Sequence, residues 1–493
     1  MQACFCPHAL ICQSFMNNQT TGPVKIVFWF TGLIILLFIN DIKAQRTVLY
    51  GKAPDYSTKE IIFYTISDPV LHEKSELAAT TVEKDGSFSV IFSSSETIEI
   101  YSDLEKYCGT MVVEPGKNYQ VALPPFTPRT PSEIHSIFFK PSPYWLGLPG
   151  TENSDINLAV RSFLTDYNYE KVKNSARIYQ SKDLVNEIIE RLDNKYKSIQ
   201  HPYFKTLMKY SFADLENIAF QRNQDVVIQK YFAKDPIQSE HPAYQSAFEL
   251  VFTDFLRKQS QNLQNKNIAA FVNSGNYQGL VNLFEKKGYR NDVAELVILK
   301  GLFDGYYSGS FNKEGIIKAV GVAETTGTLP ELQSLAHKIR QKLTILAAGG
   351  KAPSLRLPNI RHDYVSLDKF KGRFVYLTFF SSLSADCRTE LDSLVSIEKQ
   401  LRQVLSVVSV AVDDDFNQAS NLWKTKGYAW ELLNGSKQRQ LIQSYDASLP
   451  PVYYLISPDG TLRLSPAAAP GRGFEPVFLK ILREYNFRNR PNP

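Results

Sequence analysis

Seven residues, Phe374-Val375-Tyr376-Leu377-Thr378-Phe379-Phe380, constrain this chain more than any other stretch. The run is too short for a buried helix and has no polar alternation. It therefore reads as a strand covered on both faces, at the centre of a sheet. Beyond it the chain alternates between the two periodicities. Residues 386–401 are amphipathic at helical spacing, 404–412 form a second buried strand and 416–426 a helix. Residues 452–456 form a third strand, which ends in the turn Ser457-Pro458-Asp459-Gly460. A short strand at 462–464 and a helix at 474–485 complete the series. Strands that alternate with helices predict an α/β layer fold over residues 347–493.

The rest of the chain obeys other rules. Residues 46–125 carry short apolar or β-branched runs at 47–50, 60–64, 88–92, 97–101, 111–113 and 119–123. Lys84-Asp85-Gly86-Ser87 and Glu114-Pro115-Gly116-Lys117 punctuate them, and Asp-Gly between alternating segments signals a hairpin. A small antiparallel β-sandwich is expected there. Residues 126–153 are rich in Pro and Gly and read as a linker. Residues 154–346 read as helical: Leu184, Ile188, Leu192 and Tyr196 recur every four positions. Two His-Pro pairs, His201-Pro202 and His241-Pro242, have no further ligand at metal-binding spacing. They read as helix starts with proline at the first helical position. The fold class is thus multidomain: β-sandwich, α-helical domain, then α/β domain.

The first 45 residues are set apart. Residues 26–39, IVFWFTGLIILLFI, form an apolar run that suits a signal-peptide core and is short for a membrane span. Cleavage after Gln45 is expected, with Met16 as a candidate start, and an uncleaved anchor is the alternative. Leu10-Ile11-Cys12 does not fit a lipoprotein signal. Such a leader implies passage across the inner membrane to the periplasm or envelope. Its removal would take Cys4, Cys6 and Cys12 and leave Cys108 and Cys387, too few for a disulfide scaffold. The chain of 493 residues is 43% hydrophobic and 21% charged with a net charge of +5, globular in kind and too weakly basic to suggest nucleic acid. No phosphate-cradling loop, His-Glu-x-x-His or Gly-x-Ser-x-Gly is present, so no cofactor or metal is expected.

The stretch after the central strand carries the chemistry. Ser384-Ala385-Asp386-Cys387-Arg388-Thr389-Glu390-Leu391 stands at the start of the 386–401 helix. Upstream are Gly350-Lys351-Ala352-Pro353 and Val365-Ser366-Leu367-Asp368-Lys369-Phe370-Lys371-Gly372-Arg373, and downstream is Pro451-Val452-Tyr453-Tyr454-Leu455-Ile456. In this order and spacing the pieces resemble the thioredoxin-like superfamily, in particular its envelope TlpA-like thiol–disulfide branch, relatives of the AhpC/TSA redoxins. The resemblance implies a thioredoxin fold over 347–493. It makes Cys387 the resolving cysteine, Glu390 an acidic residue near it and Pro451 the cis-proline facing a bound partner chain. Ser384 stands where the family has its nucleophilic cysteine, and Leu383 where it has tryptophan. A serine hydroxyl does not ionise near neutral pH without a base, whereas exchange needs an attacking thiolate.

Three functions are compatible with these residues. The first is an envelope binding or assembly module with little or no dithiol exchange, which holds a protein partner at the thioredoxin-like face. Membrane contact would come only through an uncleaved signal segment. The second is a thiol–disulfide oxidoreductase that uses Cys387 with a thiol from elsewhere, such as Cys108. The third is a peroxidase. Ser384-Ala385-Asp386-Cys387 also resembles the end of the peroxiredoxin motif, but Phe380 stands in place of its proline and Pro451 in place of its arginine. Without that cation the thiolate lacks its electrostatic support. Cys387 also reads simply as a small buried hydrophobe. Asp413-Asp414-Asp415 reads as the cap of the helix that starts near Phe416.

Overall fold

The computed structural model describes residues 44–130, 133, 139–149, 155–220, 223–262, 267–436 and 438–488. The apolar run at 26–39, Met16 and the three leading cysteines lie outside them. No helix among the described residues is long and apolar enough to cross a membrane.

The first part consists of two sheets. One has the order β4-β1-β7, with β1 (Gln45–Lys52), β4 (Ser87–Ser94) and β7 (Asn118–Gln120). The other runs β3-β2-β5-β6-β8, with β2 (Glu60–Ile66), β3 (Lys74–Thr81), β5 (Ile98–Leu104), β6 (Tyr107–Val113) and β8 (Ser142–Trp145). Leu49, Phe88 and Val90 from the first sheet meet Phe63, Ile100 and Met111 from the second in one core.

Three features differ from the sequence reading. The sheets are mixed, because β1 pairs with β7 and β6 with β8 in parallel. The Asp85-Gly86 turn is formed, with Gly86 at φ +84°, yet it joins β3 and β4, which belong to different sheets. It is therefore a corner between layers. Residues 126–153, read as a linker, contain β8, which extends the second sheet.

The outer face of that second sheet lies against helices. Those between Ile156 and Thr344 include α1 (Ile156–Lys173), α2 (Pro202–Ala219), α3 (Pro242–Phe252), α4 (Asn291–Ser308) and α5 (Pro330–Thr344). α2 and α3 begin at the two His-Pro pairs. His201 and His241 are their N-caps, and each Nδ1 accepts a backbone N–H, from Tyr203 and Ala243 respectively, at 3.2 Å. Polar bonds fasten sheet to helices. Asn157 accepts from Val112 N–H (2.7 Å) and donates to its carbonyl (2.8 Å), pairing the edge of β6 just beyond Thr110↔Trp145, where β8 ends. Tyr203 donates to Glu99 (2.9 Å) and Gln245 to the Ile66 carbonyl (2.9 Å).

The last part is a five-stranded sheet of order β13-β12-β11-β14-β15, beside a two-stranded ribbon of β9 (Arg356–Pro358) and β10 (Tyr364–Ser366). β11 (Phe374–Phe380) is central, and all seven of its residues are buried. Phe374, Tyr376 and Phe380 enter the core on one face, and Val375, Leu377 and Phe379 enter the other. The unbroken run is thus explained by two-sided burial. β12 (Leu405–Ala411) and β13 (Glu431–Asn434) run parallel to β11. β14 (Val452–Ile456) is antiparallel to it, and β15 (Leu462–Leu464) closes the edge. α6 (Ala385–Leu401), α7 (Phe416–Lys426), α8 (Arg439–Ser444) and α9 (Phe474–Arg488) complete this part.

Candidate functional site

Strand direction places the site. β11, β12 and β13 all end at one edge of the sheet, and β14 begins there. The loops 381–384, 412–415 and 445–451 therefore gather at that edge. An open groove of about 370 Å³, bordered by Gly349, Phe374, Asp459 and Tyr485, lies at the other end of β11.

Ser384 is the N-cap of α6. Its backbone is extended (φ −80°, ψ 126°), and its Oγ accepts the Cys387 N–H at 3.3 Å. An N-cap serine satisfies one of the free N–H groups of the first turn. Cys387 is therefore the third helical residue, and it opens the buried stripe Cys387, Leu391, Leu394, Ile397, Leu401. It is 1% exposed. Burial pushes its thiol above the ordinary value. Hydrogen bonds from the Ser381 backbone and the Ser384 side chain oppose the rise, while the charges of Asp413 and Asp386 add to it.

Glu390 lies on α6, three residues beyond the thiol. Its Oε2 accepts the Gly471 N–H (2.9 Å) in the short 3-10 turn Pro470–Arg472. Tyr453 lies within the electrostatic reach of both Glu390 and Cys387, and its phenol is raised first by burial and then by those charges. Tyr453 stacks on Tyr376 (5.7 Å), whose hydroxyl donates to the Ala468 carbonyl (2.7 Å). The Pro450–Pro451 peptide is cis. The register Phe379↔Val452 sets Pro451 beside the end of β11, at the same edge as Ser384. Leu383 and Leu449 expose apolar side chains there, 39% and 45% accessible.

One residue escaped the sequence reading. Asp415 caps α7, accepting from Asn417 N–H at 3.0 Å, but Asp413 does something different. It is buried (5% exposed) and accepts from Ser381 Oγ (2.6 Å) and Ser382 N–H (2.9 Å). It ties the end of β12 to the loop that leads into α6. Three consecutive aspartates gave no sign of which would turn inward. Cys108, the other described cysteine, is also free. It sits on β6 near Tyr64 (3.8 Å) and feels Asp103, Lys74 and Glu99, a neighbourhood that shares no residue with the one around Cys387.

Known proteins are similar to this chain over the same C-terminal segment. The AhpC/TSA family profile matches residues 348–465. The thiol-disulfide oxidoreductase ResA of Bacillus subtilis is 26% identical over 116 residues, which cover 23% of this chain. The match spans 64% of the length of that curated relative. Among solved structures, the thioredoxin domain of a thiol-disulfide oxidoreductase from Bacteroides vulgatus is 20% identical, covering 28% of this chain and 97% of that one, with a TM-score of 0.25. A thiol:disulfide interchange protein of the thioredoxin family from Chlorobium tepidum is 19% identical, covering 26% and 94%, with a TM-score of 0.23. The matched segment contains the central strand, the Ser384–Cys387 turn and the cis Pro450–Pro451 bond. Over residues 348–465 the C-terminal part of this chain is a thioredoxin-like domain that matches the AhpC/TSA family and is similar to TlpA-like thiol–disulfide proteins.

Proposed function

We propose that this chain is a cell-envelope protein whose thioredoxin-like domain holds a protein partner and carries out little or no dithiol exchange. The observation behind this reading is the Ser384–Cys387 pair. Where exchange needs an exposed thiolate there is an N-cap hydroxyl, and the one sulfur is buried, with its ionisation suppressed. The partner would lie on the edge formed by Leu383, Ser384, Leu449 and Pro451, where two exposed leucines flank a cis-proline. The apolar run at 26–39 supports delivery to the envelope.

A second reading is thiol–disulfide exchange that uses Cys387 with a thiol from another molecule or from Cys108. The similarity to ResA favours it. Peroxide reduction is the third. Insulin reduction and peroxide consumption, each measured for the native chain and for Cys387→Ser, separate them. The binding reading expects both assays at the level of the blank. Turnover that disappears in Cys387→Ser would replace it with one of the other two.

A further inference from the structure

Glu390, the acidic residue that the resemblance puts near the thiol, accepts the Gly471 N–H. A second acidic residue, Asp413, bonds to the loop that leads into α6. Its Oδ1 accepts from Ser381 Oγ at 2.6 Å, and its carboxylate accepts from Ser382 N–H at 2.9 and 3.2 Å. Ser381 Oγ in turn accepts the Leu383 N–H at 3.2 Å. The turn is fixed at both ends: Arg388 reaches back from α6 and donates to the Ser382 carbonyl at 2.8 Å, and Ser384 caps the helix over Cys387. Ser381, Asp413 and Cys387 are all at least 95% buried.

We infer that Asp413 is the positioning residue of this site: it clamps the Ser381–Ser382 turn over Cys387 and so governs how readily that sulfur reacts. This rests on reading 381–391 as the thioredoxin-like site, but not on whether the site turns over. The clamp acts in two separable ways. Its hydrogen bonds hold the turn closed, which sets access to the sulfur. Its charge acts on the sulfur from the loop after β12, alongside Asp386 from α6 itself and the neutral Tyr453 from β14. A carboxylate beside a thiol disfavours the thiolate.

The test is alkylation of the native full chain by iodoacetamide across pH, read at the Cys387 peptide by mass spectrometry. Asp413→Asn keeps an acceptor for the Ser381 hydroxyl but removes the charge. The midpoint should fall, so that alkylation below it is several-fold faster, with the high-pH rate little changed. Ser381→Ala keeps the charge but removes a strut. It should leave the midpoint in place and raise the high-pH rate several-fold. Asp386→Asn, which removes a charge from an exposed position and no strut, should lower the midpoint less than Asp413→Asn and leave the high-pH rate in place. An unmoved midpoint in folded Asp413→Asn overturns the inference. So does an unchanged high-pH rate in Ser381→Ala, which keeps the test decisive if Asp413→Asn does not fold. Insulin turnover by the native chain would end the binding proposal and leave this one standing.

Discussion

Acid should loosen the helical layer through His241. This imidazole is 8% exposed and held at both nitrogens. Nδ1 accepts the Ala243 N–H at 3.2 Å, so the proton sits on Nε2, which faces the Tyr203 carbonyl at 3.1 Å. The ring also packs on Tyr203 at 4.3 Å, and Tyr203 is the residue that reaches across to Glu99. A second proton would have to go to Nδ1, which would break the cap of α3 and leave a charge in the interior. Burial therefore lowers the pKa from 6.5 to about 4. The folded state binds this proton less readily than the unfolded chain, so the stabilisation is complete above 6.5. It is lost as pH falls from 6.5 to about 4. At ~1.4 kcal/mol per pH unit the loss is about 3 kcal/mol. Urea unfolding followed by far-UV circular dichroism at pH 7, 6, 5 and 4 measures it. His241→Asn keeps a capping oxygen and cannot titrate. It should be less stable at pH 7, by about 1–2 kcal/mol for the lost stack and hydrogen bond, yet flatter between pH 6.5 and 4. The other histidines are common to both proteins and cancel in the difference. The same slope in both would refute the assignment.

Other consequences can be measured separately. Asn157→Ala leaves both the N–H and the carbonyl of Val112 unpaired in the interior, and should cost about 2–4 kcal/mol in denaturant titration. Cys387→Ala should cost about 1 kcal/mol by thermal unfolding. Cys387→Ser should cost more, because it buries a hydroxyl where a sulfur packs. Partner retention should survive Cys387→Ala and weaken in Leu383→Asp or Leu449→Asp, which put charge on the exposed apolar rim. Pull-down with the native chain as reference would show this, and unaltered capture by both rim variants would count against the docking edge.

How much could be read from the sequence depended on whether a single physical demand dominated. β11 was legible because two-sided burial leaves no polar position along it. The starts of α2 and α3 were legible because proline fits only the first helical turn, although the capping role of the two histidines was not. β3 was missed. It is an edge strand whose residues, Lys74-Ser75-Glu76-Leu77-Ala78-Ala79-Thr80-Thr81, stay half-exposed and show no apolar alternation. β8 was hidden in a Pro- and Gly-rich stretch, and its pairing with β6 depends on a return path that no local pattern encodes. At the site, the family resemblance singled out Ser384, Cys387 and Pro451, and the sheet brings these three to one edge. The partner of Glu390 and the inward turn of Asp413 were not legible. Both depend on loops brought together by the sheet, and a carboxylate in sequence looks the same whether it faces water or a buried serine.

The central proposal is that Ser384 withholds the nucleophile from a thioredoxin-like site that keeps Cys387 and the cis Pro451. Ser384→Cys tests it most directly, assayed for insulin reduction beside the native chain. The substitution puts a thiol at the N-terminus of α6, where the helix dipole favours thiolate, with Cys387 three residues on to resolve it. Loss of the serine cap should cost about 1 kcal/mol, too little to unfold the domain. The account predicts turnover in Ser384→Cys and none above blank in the native chain. Equal turnover in both would contradict it.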